Sequence, residues 1–273
     1  MMKKKRLFEA AFITAAAFIW TGSGRTGHPA WAELCKWRYA HRGYHDKPQI
    51  PENSIPAFKR AIEHGWGAEL DVHLLKDGTL AVFHDSDLMR CAGAEGVIED
   101  LTKDELAGLR LEGTDNKVPL LDEVLELFEG KAPLIIELKT YGGNHRALAE
   151  AVCKRLDTYE GDFCIESFDP RAIAEVRRLR PWICRGQLAQ DFIKRSEDLP
   201  AYQRVLLTTL RMNFLSRPDF IAYRFEDRHN IFLRLCVRSG VQEVNWTIDS
   251  KEDMLAAEAD GALVIFERFD PDE

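Results

Sequence analysis

The stretch WRYAHRG, residues 37–43, runs a short apolar strand pattern directly into a histidine, an arginine and a glycine. A doubly wound open sheet would normally place a glycine-rich phosphate loop after its first strand. Here that strand ends in side chains that carry chemistry. The stretch therefore favours a closed barrel, in which functional residues project from the carboxyl ends of the strands.

Strand patterns alternate with helical patterns along the rest of the chain. Strands are predicted at Trp37–Ala40, Ala68–Leu74, Leu80–Phe83, Pro133–Leu138, Asp162–Ser167, Ile183–Gln187, Phe220–Tyr223, Val241–Ile248 and Leu263–Phe266. Such alternation predicts parallel strands joined by crossover helices. The Asp77-Gly78 turn signal makes Leu80–Phe83 a hairpin partner of the second strand. Eight parallel strands remain, so the predicted fold is α/β, a (β/α)8 TIM barrel.

Residues 86–118 do not fit the alternation, because they are rich in glycine and carry only one short helical pattern. We interpret them as a small insertion over the barrel mouth, after the second strand region. Residues 37–273 are then predicted to form one catalytic barrel, which agrees with the usual size of such domains.

The N-terminal residues 1–36 carry a basic head, an apolar run and the sequence Ala30-Trp31-Ala32. This order resembles a secretory signal. The apolar run, residues 7–20, is shorter than the roughly 20 residues of a membrane span. A cleaved signal, an uncleaved membrane anchor and a cytosolic arm all stay open. The first two place the domain outside the cytoplasm, as an exported or membrane-anchored protein, with possible membrane association through the N-terminus.

The composition limits the partners. The chain has 273 residues and a formal net charge of -8, which argues against general nucleic-acid binding. A phosphate-containing substrate is not excluded, because a local cluster of cations and a metal can reverse the field at a site. Six cysteines without C-x-x-C spacing predict buried free thiols, with a disulfide after export as the alternative.

Three carboxylates lie near predicted strand ends. Glu69 and Asp71 are two residues apart on one strand, so alternation places both side chains on one face. Glu137 lies on the next strand of the predicted barrel. Carboxylates gathered on one face repel each other unless they share a cation. The set predicts a hard oxygen site for one divalent metal ion, Mg²⁺ or Ca²⁺.

Two histidines and two cations accompany these carboxylates. His41 and Arg42 follow the first strand, His84 follows the hairpin, and Lys139 lies two residues after Glu137. Histidines with ordinary pKa values near 6.5 can exchange protons at neutral pH. His73 lies two residues beyond Asp71 on the same face. Two roles are left open for it: contact with the substrate, or covering the rim of the barrel mouth.

These residues fall within an ordered set of motifs: A-H-R-G at 40–43, P-E-N-S at 51–54, E-L-D-V at 69–72, K-D-G-T at 76–79, V-F-H-D at 82–85, I-E-L-K at 136–139, S-F-D-P at 167–170 and W-T-I at 246–248. With this order and spacing, the chain resembles the glycerophosphodiester phosphodiesterase family from about residue 38 to the end. The resemblance implies a (β/α)8 barrel that uses one divalent metal to hydrolyse glycerophosphodiesters to an alcohol and glycerol 3-phosphate.

The resemblance also implies roles for individual residues. Glu69, Asp71 and Glu137 resemble the metal ligands, and His41 and His84 the general acid/base pair. The remaining matches concern substrate and phosphate binding: Arg42, Lys139, Glu52 and Trp246. Glu52, in the E-N motif, is expected close to the metal or its neighbouring ligands.

Other functions compete with this hypothesis. A lysophospholipase D-like enzyme would act on lipids with one acyl chain, and an apolar rim would favour it. A non-catalytic phosphodiester- or membrane-binding barrel would be expected to lack one of the catalytic residues, yet all are present. An amidohydrolase would need several histidine ligands. The expected partner is a small-molecule glycerophosphodiester or lysophospholipid, and the oligomeric state is left open.

Overall fold

The computed structural model describes residues 24–195 and 199–273. Its strands are β1 (Tyr39–Ala40), β2 (Gly67–Leu74), β3 (Leu80–Val82), β4 (Leu134–Leu138), β5 (Phe163–Ser167), β6 (Arg185–Ala189), β7 (Phe220–Arg224), β8 (Gln242–Ile248) and β9 (Leu263–Phe266). Its helices are α1 (Trp31–Leu34), α2 (Ile55–Glu63), α3 (Met89–Ala92), α4 (Lys103–Leu106), α5 (Leu121–Phe128), α6 (His145–Leu156), α7 (Pro170–Leu179), α8 (Phe192–Arg195), α9 (Ala201–Thr208), α10 (Asn213–Ser216), α11 (Ile231–Arg238) and α12 (Lys251–Ala259).

The sheet closes on itself at its first strand. β1 pairs in parallel with both β2 and β9. β3 is antiparallel to β2, as the Asp77-Gly78 turn predicts, and the pairings from β4 to β9 are parallel. The predicted (β/α)8 barrel with its hairpin is confirmed.

Alternation along the strands separates two environments. Leu70 and Val72 of β2 are fully buried in the core between the barrel and its helices. Glu69 and Asp71, which alternate with them, point into the barrel as predicted. The N-terminal half of the interior is filled by side chains such as Tyr39 and Phe220. The structure therefore places apolar side chains below a polar layer.

Helix α2 shows how local sequence sets an element beside the site. The Ser54 hydroxyl accepts a hydrogen bond from the Ala57 amide at 3.3 Å and so caps the helix, with Pro56 in its first turn. The helix buries Phe58 and Ala61 against the barrel. This cap holds the preceding residues Glu52 and Asn53 at the barrel mouth.

The insertion, residues 86–118, has a small hydrophobic cluster of its own. Six buried side chains of the insertion pack on Leu75, Ala81 and Phe83 of the hairpin region: Leu88, Cys91, Ile98, Leu106, Leu111 and Val118. One member, Cys91, also touches Glu52, with its Sγ 3.4 Å from Oε1. The insertion is therefore a packed unit attached to one side of the barrel mouth.

Part of the N-terminal segment packs on the opposite end of the barrel. The Arg25 amide donates to the Pro218 carbonyl at 2.7 Å, and its guanidinium pairs with Asp219 at 2.6 Å. The Trp31 ring lies 5.4 Å from that of Phe220. The signal-like basic and apolar stretches, residues 1–20, lie outside the described residues. Among the helices that are described, none has the length and apolar character needed to cross a bilayer.

All six cysteines are free. Cys35 is exposed and the other five are buried, so the prediction of buried free thiols is confirmed for those five.

Candidate active site

The carboxyl ends of the strands surround a cavity of about 370 Å³. Eight of the nine predicted site residues line it: His41, Arg42, Glu52, Glu69, His84, Glu137, Lys139 and Trp246. The ninth, Asp71, contacts one of these, with Oδ1 2.9 Å from Lys139 Nζ. The structure thus brings together residues that lie up to about two hundred positions apart in the sequence.

The three carboxylates form one buried cluster. An oxygen atom from each of Glu69, Asp71 and Glu137 lies within 4.8 Å of the others. Burial, with Asp71 and Glu137 nearby, raises the pKa of Glu69 well above its ordinary value. Burial likewise raises the pKa of Glu137. Because such a cluster resists full ionisation on its own, it is suited to share a cation.

Asp71 is held ionised by its partners. Burial alone would raise its pKa, but Lys139, His84 and Arg42 lower it well below its ordinary value. Asn53 adds a hydrogen bond from Nδ2 to Asp71 Oδ2 at 2.7 Å. Lys139 Nζ also lies 2.9 Å from Glu137 Oε1, so it bridges two of the three carboxylates.

A tight turn after β1 aims Arg42 into the cavity. Arg42 and Gly43 have positive φ angles of 55° and 77°. A Cβ on Gly43 would lie 2.9 Å from the backbone of Ala57, so only glycine fits against α2. In this turn the Arg42 amide donates to Glu69 Oε2 at 3.1 Å.

Glu52 gathers cations and stands apart from the carboxylate cluster. Arg42 and Arg90 donate to it at 2.9 and 2.8 Å, and Lys47 makes a further close contact. These cations lower the pKa of Glu52 against the opposing effect of burial. Glu52 is thus placed to hold Arg42, which itself borders the carboxylate cluster.

Each histidine has a carboxylate on Nδ1. His41 Nδ1 lies 2.9 Å from Glu267 Oε2, and His84 Nδ1 makes a close contact with Asp85 Oδ1. Since a carboxylate accepts hydrogen bonds, both rings carry a proton on Nδ1, which leaves Nε2 for other partners. His41 Nε2 is 3.9 Å from Glu69 Oε2, at the edge of the carboxylate cluster.

The surroundings favour the neutral form of both rings. Burial, together with Arg42, lowers the pKa of His41, while Glu267 opposes this shift. Burial, Lys139 and Arg42 lower the pKa of His84 to about 4, against the opposing charge of Asp71. The His84 ring is therefore uncharged at neutral pH.

Trp246 forms part of an aromatic wall on the far side of the cavity. Its Nε1 donates to the Ala222 carbonyl at 3.0 Å, which fixes the ring. Phe168 meets this ring edge-on at 5.5 Å, and both residues line the cavity.

Sequence reasoning missed several residues around this cavity. Glu267 follows β9, and its position at a strand end was a usable signal. Arg90 belongs to the insertion, and only the packing of the insertion brings it to Glu52 and Asp85. Glu166 of β5 is buried beside Glu137, its cross-strand neighbour.

Residues 41–270 match the Glycerophosphoryl diester phosphodiesterase family. The chain belongs to this family. A glycerophosphodiester phosphodiesterase of Caldanaerobacter subterraneus is 34% identical over 240 residues, which cover 82% of this chain and 91% of that protein. The resemblance found in the motifs and the predicted enzyme class are confirmed for this phosphodiesterase.

Other relatives extend the comparison. A lysophospholipase D of Homo sapiens is 34% identical over 173 residues, 57% of this chain and 49% of that protein. The crystal structure of a glycerophosphodiester phosphodiesterase from Thermotoga maritima has a TM-score of 0.64 and 29% identity, with 84% of this chain and 92% of that chain covered. An Oleispira antarctica phosphodiesterase in complex with the product sn-glycerol-3-phosphate has the same fold, with a TM-score of 0.71 and 23% identity. The match covers 87% of this phosphodiesterase and 94% of that chain.

Proposed function

We propose that this phosphodiesterase hydrolyses glycerophosphodiesters to an alcohol and sn-glycerol 3-phosphate, with a divalent metal ion and with His41 and His84 as the acid/base pair. The observation that carries the proposal is the buried cluster of Glu69, Asp71 and Glu137 in the same cavity as both histidines. The relatives named as glycerophosphodiester phosphodiesterases support the substrate class.

The carboxylate cluster fits Mg²⁺ or Ca²⁺. Its ligand atoms are all oxygens, which these hard cations prefer. No histidine among the residues that the structure describes belongs to the cluster. Glu69, Asp71 and Glu137 would hold the ion. When bound, such an ion supplies positive charge that polarises a phosphoryl oxygen.

Arg42 and Lys139 contribute the protein's own positive charge. Both line the cavity and border the carboxylate cluster, with Lys139 Nζ 2.9 Å from Asp71 and Glu137 and Arg42 Nε 3.5 Å from Asp71. A phosphodiester anion repels an incoming nucleophile. Fixed cations at this distance reduce that repulsion and stabilise the extra charge of the transition state.

The two histidines divide the proton transfers. We assign His84 as the acceptor from the attacking hydroxyl, because its pKa of about 4 keeps it neutral. We assign His41 as the donor to the leaving alcohol oxygen, because Glu267 on Nδ1 stabilises the imidazolium that proton donation requires, against the lowering of the His41 pKa by burial and Arg42. Each positioned transfer is worth about 10²–10⁴ in rate.

The test is release of glycerol 3-phosphate from glycerophosphocholine. We expect EDTA to abolish release and Mg²⁺ or Ca²⁺ to restore it in the wild type, with kcat of His84→Ala lower by about 10²–10⁴-fold under both metals. Arg155→Gln, which alters a surface ion pair with Asp122, is the matched control. Folded wild-type protein that releases nothing with either metal would refute the proposal.

A second candidate substrate class is favoured by an apolar groove beside the cavity. The groove has a volume of about 450 Å³ and lies between the start of α7, Phe192 of α8, and α9 with the loop after it. Most of its lining side chains are apolar, and the polar ones are Thr140, Asp169, Arg171 and Gln203. Phe168 lines both spaces, and Phe192 meets it edge-on at 6.1 Å. The aromatic wall therefore continues from the phosphate site into the groove.

We propose that the groove takes the single acyl chain of a lysophospholipid. Tyr202, with 65% of its surface exposed, leaves the groove open to a chain from outside. Water would then cleave the bond between phosphorus and the head-group oxygen. The products are lysophosphatidate and the free alcohol.

Chain-length dependence tests this occupant. Each methylene of the acyl chain that becomes fully buried in the groove should raise kcat/KM by a factor of about four. Lysophospholipids with longer acyl chains should therefore be better substrates than those with shorter chains, when all are assayed below their critical micelle concentrations. Leu206→Glu, inside the groove, should remove the dependence, whereas Val205→Glu, an exposed neighbour outside the groove lining, should keep it. Unchanged hydrolysis of glycerophosphocholine shows that both variants are folded. Equal rates for all chain lengths would refute the acyl site.

For the N-terminus we propose export, on the sequence pattern of residues 1–32 alone. Cell fractionation of the full-length protein tests it, and recovery of all activity in the cytoplasm would refute it. N-terminal sequencing of an exported product would separate a cleaved signal from an anchor.

A further inference from the structure

We infer that His73 and Glu99 form a buried pair that positions His84, so that the insertion takes part in setting the active site. The inference rests on the proposed function, because it gives a role to residues that act through His84. It concerns positioning only, since neither residue lines the cavity among the described residues.

The pair is well defined. His73 is the last inward-facing residue of β2, two positions beyond Asp71, and has 1% of its surface exposed. Its Nδ1 lies 2.7 Å from Oε1 of Glu99, which belongs to the turn Ile98–Asp100 of the insertion. Its Nε2 lies 3.1 Å from the backbone carbonyl of His84.

The arrangement explains why a histidine is useful at position 73. Both ring nitrogens face acceptor oxygens, one on a carboxylate and one on a carbonyl. Imidazole is a compact side chain that presents a nitrogen in each of two directions, and both nitrogens donate when the ring is protonated. Hydrogen bonds that involve a charged partner are shorter and stronger than neutral ones. His73 therefore links a carboxylate of the insertion to the backbone of a catalytic residue.

Further bonds fix the same segment at neighbouring points. The Phe83 amide donates to the Asp71 carbonyl at 3.0 Å. Ser86 donates from Oγ to Glu99 Oε1 at 2.9 Å, and its carbonyl accepts from the Ile98 amide at 2.9 Å. The backbone on each side of His84 is thus held to β2 and to the turn that carries Glu99. The His73 bond to the His84 carbonyl is the one that acts on the catalytic residue itself.

The experiment is a double-mutant cycle with the metal-loaded full chain, which measures kcat and KM for glycerophosphocholine. His73→Leu should lower kcat by about tenfold to a hundredfold with little change in KM, because small displacements of a catalytic group cost rate. His73→Gln, which keeps a donor, should recover part of the loss. In a His84→Ala background, His73→Leu should cause no further loss, since no imidazole is left to position.

Two additional variants keep the inference testable if His73→Leu does not fold. Glu99→Gln changes the pair from the insertion side and should lower kcat in the same His84-dependent way. Glu95→Gln, an exposed carboxylate of the same insertion, is the matched control and should leave kcat unchanged.

Three results would overturn the inference. The first is an unchanged kcat in both His73→Leu and Glu99→Gln, and the second is an equal loss of kcat from His73→Leu with and without His84. The third is a parallel loss of metal affinity, which would mean that His73 acts through Asp71. A different result, full activity of His84→Ala alone, would refute the proposed function instead.

Discussion

The Nδ1 atom of His41 lies 2.9 Å from Oε2 of Glu267, across the seam where the first and last strands of the barrel meet. Closure of the barrel therefore brings a carboxylate from near the end of the chain to a histidine near its beginning. The contact fixes which His41 nitrogen carries the proton and favours the charged ring.

Removal of the charge on Glu267 should slow catalysis without changing substrate binding. Glu267→Gln keeps the shape of the side chain but no longer favours an imidazolium on His41. We expect kcat to fall by about tenfold to a hundredfold, part of the full value of a positioned proton transfer, with KM unchanged. Steady-state kinetics on glycerophosphocholine checks this. A variant with wild-type kcat would show that Glu267 has no influence on proton donation.

Leaving-group chemistry should distinguish the two histidines. A glycerophosphodiester whose alcohol is p-nitrophenol needs little protonation of its leaving oxygen, so the proton donor matters less. We expect His41→Ala to retain a much larger share of wild-type kcat on this substrate than on glycerophosphocholine. His84→Ala should lose activity on both, because proton acceptance is still required. The opposite pattern would exchange the two assignments.

The sequence predicted the barrel and most of the cavity because both depend on local patterns. Alternation on β2 alone separates Glu69 and Asp71 from Leu70 and Val72. The contacts of Glu52 with Arg90 were not predictable in this way. They depend on how the insertion packs on β3, which no strand or helix period encodes.

The same limit applies to Glu267. Its position at the end of the last strand was visible, but its pairing with His41 depends on the closure of β9 against β1. The carboxylate cluster, by contrast, needs only the register of two neighbouring strands, where Asp71 pairs with Glu137.

Metal binding should weaken as the pH falls. Burial raises the pKa values of Glu69 and Glu137 above the ordinary value of 4.5, so these groups retain protons to a higher pH than exposed glutamates do. A metal ion must displace those protons. Affinity should therefore be constant at high pH and fall about tenfold per pH unit for each proton displaced once the pH is below the raised pKa.

Calorimetric titration of the metal-free protein with Mg²⁺ or Ca²⁺ in buffers of different ionisation enthalpy would measure both the affinity and the protons released. Glu137→Gln should bind more weakly and show a shallower pH dependence. Binding that is equally tight from pH 5 to pH 8 would show that the cluster is fully ionised before the ion arrives.

Residues 24–32 should stabilise the barrel from its N-terminal end. Arg25 pairs with Asp219, which is 3% exposed and also accepts from the Arg185 amide at 3.1 Å. The Trp31 ring packs on Phe220. A chain beginning at Glu33 lacks both contacts and leaves the buried Asp219 carboxylate without its Arg25 partner, whereas a chain beginning at Gly24 keeps them. Loss of one partner of a buried ion pair costs about 3–5 kcal/mol, and the partial exposure of Arg25 puts this case below that range.

Thermal unfolding of the two truncated chains, with Arg25→Gln in the longer one, measures the effect. We expect the shorter chain to unfold at a lower temperature by several degrees and Arg25→Gln to account for part of the difference. Equal unfolding temperatures for the two chains would show that the segment adds no stability. Processing at Ala30-Trp31-Ala32 would then carry no cost to the fold.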